Sequence, residues 1–230
     1  SGALLKLLAA LMVLAGLAVL AWPHIDAALT SWRMGEALAR HDDAVAELAE
    51  DEPLHRDLLN AVDEYNRALD ETGQAACATP GVHRAEFDLT SWGLPDEVYA
   101  RLRVPAAGID MPVYLGATEA HLNVGAAHLT QTSLPVRAVE GVSANAVVAG
   151  HRGYRANVFF NNIVNLVEGD EVFVDAPWGT LGYRVTGTAV IDPADIDAVK
   201  IQPGRTMLTL VTCHPLYENY RRYVVYCDQV

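Results

Sequence analysis

The chain has 230 residues, with 16 Lys and Arg against 29 Asp and Glu, a formal net charge of −13 at pH 7. At 51% hydrophobic and 20% charged it is too apolar to stay disordered, and its length suits one sizeable domain with a small appendage. With no Lys/Arg cluster to offset it, the acidic surface repels phosphate backbones and argues against nucleic acid as a partner, while the distant Cys77, Cys213 and Cys227 exclude a disulfide-stapled mini-protein and a zinc module.

The stretch from Ala3 to Trp22 is apolar on all sides and interrupted only by Lys6. At 1.5 Å per residue it spans a hydrocarbon core roughly 30 Å thick. Lys6 can snorkel to the headgroups, and Trp22 followed by Pro23-His24 reads as an interfacial belt and an exit. Residues 1–24 therefore read as an uncleaved signal-anchor, with the rest of the chain outside the cytoplasm. The alternative is a cleavable signal peptide. Against it stand the length of the apolar run and the lack of a small-x-small site before the acidic segment.

Residues 25–70 read as a helical stalk. Leu54, Leu58, Val62, Tyr65 and Leu69 recur at spacings of four, four, three and four, which puts them on one face. Pro53 is tolerated only at a helix start, so a break into two helices falls just before it. Over residues 71–97 the periodicity gives way to Gly73, Pro80, Gly81, Gly93 and Pro95, a long loop of the kind that is usually functional.

From residue 98 to 230 the chain is mainly β. Strands are predicted over Val98–Val104, Met111–Leu115, Ala146–Ala149, Glu171–Asp175, Leu181–Ile191, Met207–Thr212 and Tyr220–Tyr226, as in an antiparallel barrel or sandwich. One amphipathic stretch, Val158–Val167, reads as a short crossover helix.

Three residues at strand ends carry the chemistry. Ala-Asn-Ala-Val-Val-Ala-Gly-His runs into His151, Leu-Thr-Leu-Val-Thr-Cys runs into Cys213, and Arg222 opens the strand that follows. A thiol with an imidazole and a guanidinium at hand is a set for acyl transfer, as nucleophile, proton relay and oxyanion donor; the alternative is that Cys213 is a buried structural cysteine in an anchored domain that binds partners. If residues 214–219 make a hairpin, Arg222 returns beside Cys213, and Cys227 lies roughly 16 Å further along the strand, out of disulfide reach. His214 adjoins Cys213 and points to the opposite face. His128 reads as a hydrogen-bonded structural residue, and His24, His41, His55, His83 and His121 as surface residues.

These strings resemble the sortases, the membrane-anchored transpeptidases of Gram-positive surfaces. Thr-Leu-Val-Thr-Cys ending at Cys213 looks like their nucleophile motif, Gly-His-Arg-Gly at 150–153 like their histidine motif, and Arg222 falls where their arginine belongs. Met-Pro-Val-Tyr-Leu-Gly (111–116), Val-Gly-Ala-Ala-His-Leu (124–129), Ser-Leu-Pro-Val (133–136) and Val-Lys-Ile-Gln-Pro-Gly (199–204) resemble the pilin-polymerising class C, as does a helix with Tyr65-Asn66 ahead of a long loop.

The resemblance implies an eight-stranded barrel with short helices, monomeric and without metal or cofactor. It implies attack by Cys213 on an LPXTG-like sorting signal, with His151 and Arg222 assisting, and transfer of the acyl group to a pilin lysine. A peptidoglycan cross-bridge is the housekeeping alternative, and water the hydrolytic one. In class C the loop is a lid bearing an Asp-Pro-aromatic anchor; here the nearest candidates are Asp88 and Trp92 in Asp-Leu-Thr-Ser-Trp. Cys77 in the same loop is a further lid candidate, an inert thiol, or a disulfide partner of Cys227.

Overall fold

In the computed structural model, which describes residues 2–74, 88–94, 97–154 and 157–230, the first element is a single 49-residue helix, α1 (Gly2–Glu50). It runs unbroken through Pro23. The proline removes one intrahelical hydrogen bond, and good helix formers on both sides, Leu17 to Ala21 and Ala27 to Leu29, carry the helix past it. α1 is long and apolar enough to cross a membrane, and its most apolar window is entirely exposed.

The chain breaks at Asp51, whose side chain accepts from the Leu54 N–H at 3.1 Å and caps α2 (Glu52–Glu71). Pro53 sits in the first turn, where no donor is needed. Leu58, Val62 and Leu69 bury one face of α2, with Leu54 and Tyr65 half-buried beside them.

Both helices are pinned to the β-domain by polar contacts. His41 on α1 is buried and bonds the Val98 carbonyl through Nδ1 at 3.1 Å. A carbonyl only accepts, so the proton is on Nδ1. On α2, Asn66 donates to the Leu134 carbonyl at 3.0 Å and accepts from the Leu134 N–H at 2.8 Å, and Tyr65 donates to the Thr132 carbonyl. His41 is thus an internal docking residue rather than a surface one. His121 is also partly buried: its Nδ1 bonds the Gly116 carbonyl at 2.6 Å, its Nε2 lies 2.8 Å from Glu97, and its ring stacks on Tyr114.

The β-domain contains β1 (Val98–Val104), β2 (Ile109–Leu115), a short helix α3 (Glu119–Leu122), β3 (Ala126–His128), β4 (Ala144–Ala149), β5 (Arg152–Tyr154), β6 (Asn157–Phe159), β7 (Glu171–Ala176), β8 (Gly179–Ile191), β9 (Thr206–His214) and β10 (Arg221–Gln229). Eight of these strands close a barrel in the order β1-β2-β3-β4-β9-β10-β8-β7, and β5 and β6 form a separate hairpin.

The barrel is not purely antiparallel: β2 pairs with β3, and β4 with β9, in parallel. Parallel neighbours require crossover connections. α3 supplies one, and the run from β5 to β8 supplies the other.

The stretch Val158–Val167 is not the expected helix. It holds the end of β6 and a 3-10 turn over Asn161–Asn165 that buries Phe160 and Ile163. Phe159 has φ +37 and Leu166 is extended, so neither flank continues a helix.

Candidate active site

β9 occupies the middle of the functional end, parallel to β4 on one side and antiparallel to β10 on the other. Leu208 and Leu210 point into the main core, so alternation turns Thr209, Val211 and Cys213 to the outside of the barrel. There Val211 packs with Val147 of β4, Val224 of β10 and Val199, bordered by Leu129, Ile191 and Tyr226. This second apolar cluster is a patch on the barrel's outer wall, and Cys213 stands at its end, free and partly buried.

Arg222 is the direct cross-strand partner of Cys213. Its Nη1 donates to the carbonyls of Asn219 at 2.7 Å and Arg221 at 3.0 Å. On the other side, Ala149 pairs with Val211, the Gly150 N–H donates to the Val211 carbonyl at 3.1 Å, and Thr212 Oγ1 donates to the Gly150 carbonyl at 2.8 Å. His151 is the next residue, and so stands level with Cys213 across the β4–β9 seam. The ladders thus bring His151, Cys213 and Arg222 to the same end of three adjacent strands.

The segment after His151 holds its backbone. The Phe160 N–H donates to the His151 carbonyl at 3.0 Å, and the Phe159 ring meets the imidazole edge-on at 6.3 Å between centroids. Gly150 is required by a close approach: a Cβ there would lie 2.6 Å from the Phe160 ring. Burial lowers the His151 pKa, opposed by the negative charge of Glu119.

Other histidines are not part of this set. His128 is fully buried, with Nε2 bonded to the Ser133 carbonyl at 2.9 Å and near Thr132 Oγ1 at 3.1 Å, and burial lowers its pKa to about 4. His214 bonds Arg152, whose Nη1 donates to Nδ1 at 2.7 Å. Sequence reasoning passed over Arg152 and Tyr223; the signal available was that each directly follows a singled-out residue.

Asp88 caps the 3-10 turn Leu89–Trp92, accepting from the Thr90 N–H at 3.1 Å and from Ser91 Oγ at 3.2 Å. Its hydrogen bond from the Thr90 side chain, above all, holds its carboxyl below the usual range. Trp92 packs half-buried against the main core alongside Leu89 and Leu94, not against the outer patch. Cys77 and His83 lie outside the described residues.

Gln74, just past the end of α2, donates to the Gln131 carbonyl at 2.9 Å and accepts from the Ile201 N–H at 2.7 Å. Cys227 is a thiol with no solvent exposure, and the alternative of its pairing with Cys77 falls on a residue outside the described ones. Among the described residues, no group of three or more His, Cys, Asp or Glu is placed to hold a metal.

The sortase domain profile matches residues 102–230, more than half the chain. A sortase A from Bacillus anthracis is 29% identical over 134 residues, 58% of this chain and 60% of that protein. The chain thus spans about three-fifths of that relative's length. Among solved structures, Streptococcus agalactiae sortase C1 in complex with MTSET superposes with a TM-score of 0.70 at 25% identity, covering 84% of this chain and 96% of that one. A variant of sortase C-1 from S. pneumoniae superposes with a TM-score of 0.71 at 26% identity, covering 84% and 97%.

Proposed function

This chain belongs to the sortase family, and on that premise we propose that it is a class C sortase, a membrane-anchored cysteine transpeptidase that joins pilin subunits. Residues 1–24 form the anchor, 25–70 the stalk, 71–97 a lid-like connection and 98–230 the catalytic barrel. The sortase C structures that superpose over most of the chain support the class.

In the first half-reaction the Cys213 thiolate attacks the threonyl carbonyl of an LPXTG-like sorting signal lying along the outer patch. A C–S bond forms, and Arg222 turns a donor toward the oxyanion. His151 as imidazolium gives its proton to the glycine nitrogen as the Thr–Gly bond breaks. In the second half, a pilin lysine amine attacks the thioester. The C–S bond breaks, a C–N bond forms, and the amine proton returns to the imidazole.

The observation that carries this reading is the cross-strand pairing of Arg222 with Cys213 at the end of an apolar wall, with His151 across the neighbouring seam. Incubation with a sorting-signal peptide, followed by mass spectrometry, tests it. The expected product is a thioester on Cys213, absent in Cys213→Ala. Cleavage or joining by that variant would remove Cys213 from the role.

A second reading is favoured by the name sortase A on the Bacillus anthracis relative: a housekeeping sortase whose acceptor is the peptidoglycan cross-bridge. Competition between a pilin-derived lysine peptide and a cross-bridge peptide for the thioester separates the two.

A further inference from the structure

Each of the three residues assigned to the reaction is followed in the chain by one that belongs to a second connected set: Arg152 after His151, His214 after Cys213, and Tyr223 after Arg222. Arg152 Nη1 donates to His214 Nδ1 at 2.7 Å. The His214 ring lies against Tyr223, with centroids 5.9 Å apart. Tyr223 packs on the main core and reaches the Val164 carbonyl at 3.5 Å.

On a strand, consecutive side chains leave from opposite faces. His214 follows the parity of Leu208 and Leu210, and Tyr223 that of Val225; the three aliphatic residues lie in the main core and Tyr223 packs against it. The second set therefore leaves these strands on the face opposite Cys213 and Arg222, and it links β5, β9 and β10 through side chains.

We propose that Arg152, His214 and Tyr223 are positioning residues that fix the relative placement of His151, Cys213 and Arg222. The inference rests on the catalytic reading given above. Two features favour positioning over a contribution to stability. The backbone ladders already hold β9 to β4 and to β10, so the strands need no added link to pair. The Arg152 side chain is also an uneconomical means of stabilisation, because its Nε is buried without a hydrogen-bond partner.

His151 is the member whose placement is least defined by regular structure: β4 ends at Ala149 and β5 starts at Arg152, leaving Gly150 and His151 between strands. The Arg152–His214 bond crosses that gap. An arginine only donates, so His214 presents an unprotonated Nδ1 to it.

The test uses the full chain in detergent micelles, with His214→Leu, His214→Asn, Arg152→Leu and the Arg152→Leu/His214→Leu double variant. Rates of thioester formation with a sorting-signal peptide are measured alongside circular dichroism. Misplacement of reacting groups by fractions of an ångström acts on kcat, so His214→Leu and Arg152→Leu are expected to lower kcat by about 10- to 100-fold with KM within about twofold.

His214→Asn puts an amide oxygen where Nδ1 sits, can still accept from Arg152, and is expected to retain kcat within about threefold of the wild type. The double variant is expected to be no slower than the slower single one, because both remove the same contact. Equal losses in His214→Leu and His214→Asn, multiplicative losses in the double variant, or losses that track the folded fraction would overturn the proposal.

Alkylation of Cys213 by iodoacetamide needs no substrate and separates this inference from the reaction itself. If the wild type labels rapidly at Cys213 but forms no thioester, the transpeptidase reading fails, and slower labelling in Arg152→Leu than in the wild type still reports the positioning.

Discussion

Arg222 faces Cys213 directly across the β9–β10 ladder, yet its guanidinium is turned to the carbonyls of Asn219 and Arg221 at 2.7 and 3.0 Å. The same residue thus holds the loop that closes the hairpin and faces Cys213 across the ladder. A planar guanidinium has donors enough to keep the loop contacts while presenting another N–H to an oxyanion; a lysine ammonium does not offer that fork. Arg222→Ala is expected to slow thioester formation by about 10²–10³-fold, and Arg222→Lys to recover little of it. Rapid-quench measurement of the acyl-enzyme checks this; near wild-type rates in Arg222→Lys would contradict the assigned role.

The two described cysteines differ sharply in environment. Cys213 is partly exposed, whereas Cys227 has no exposure, and burial pushes its thiol up to about 12. Because the thiolate is the reactive form, iodoacetamide at neutral pH is expected to modify Cys213 and leave Cys227 untouched until the protein unfolds. Peptide mapping before and after denaturant reads this out, and early labelling of Cys227 would mean that the barrel opens readily.

Gly150 supports His151 through what it lacks. A methyl group at this position would lie 2.6 Å from the fully buried Phe160 ring, which is packed among the core residues and has little room to retreat. Gly150→Ala is expected to destabilise the protein by about 1–3 kcal/mol, as overpacking does. Trimming the ring in Gly150→Ala/Phe160→Leu is expected to recover part of that loss. Denaturant titration of the single and double variants measures both, and a Gly150→Ala protein as stable as the wild type would rule out the close approach.

Acid should weaken the fold through its buried imidazoles. Burial lowers the pKa of His41, and lowers that of His128 to about 4, from an ordinary value of 6.5. The unfolded chain therefore binds protons that the folded one refuses, and stability falls as pH drops from 6.5 toward 4. For His128 the full difference is about 3 kcal/mol at the acid end, at 1.36 kcal/mol per pH unit. His128→Gln keeps a hydrogen-bonding group near the Nε2 position but does not titrate. Its stability should decline less steeply between pH 6.5 and 4.5, and a slope equal to the wild type's would assign the acid sensitivity elsewhere.

Strand positions were largely legible along the chain. Val98–Val104 is a strand at both of its predicted ends, β8 and β9 differ only by extension, and β10 starts one residue later than expected, at Arg221, and runs on to Gln229. Their apolar alternation is a local property. The break before Pro53 was likewise legible, because proline constrains its own helix turn. The short strands β3, β5 and β6 were not, since three residues carry too little periodicity to register. The burial of His41 and His121 was hidden for another reason: their partners, Val98 and Gly116 with Glu97, come from other elements.

Local order along the chain was enough to single out Cys213, His151 and Arg222 as candidates, and to place Arg222 beside Cys213, because a short hairpin joins them. Only tertiary structure decided that β4 lies parallel to β9 and brings His151 level with the thiol across 62 positions of sequence, and that Arg152, His214 and Tyr223 meet. A strand's alternation specifies which side chains share its face; which strand lies next to it is set by the closure of the whole barrel, to which every strand contributes at once.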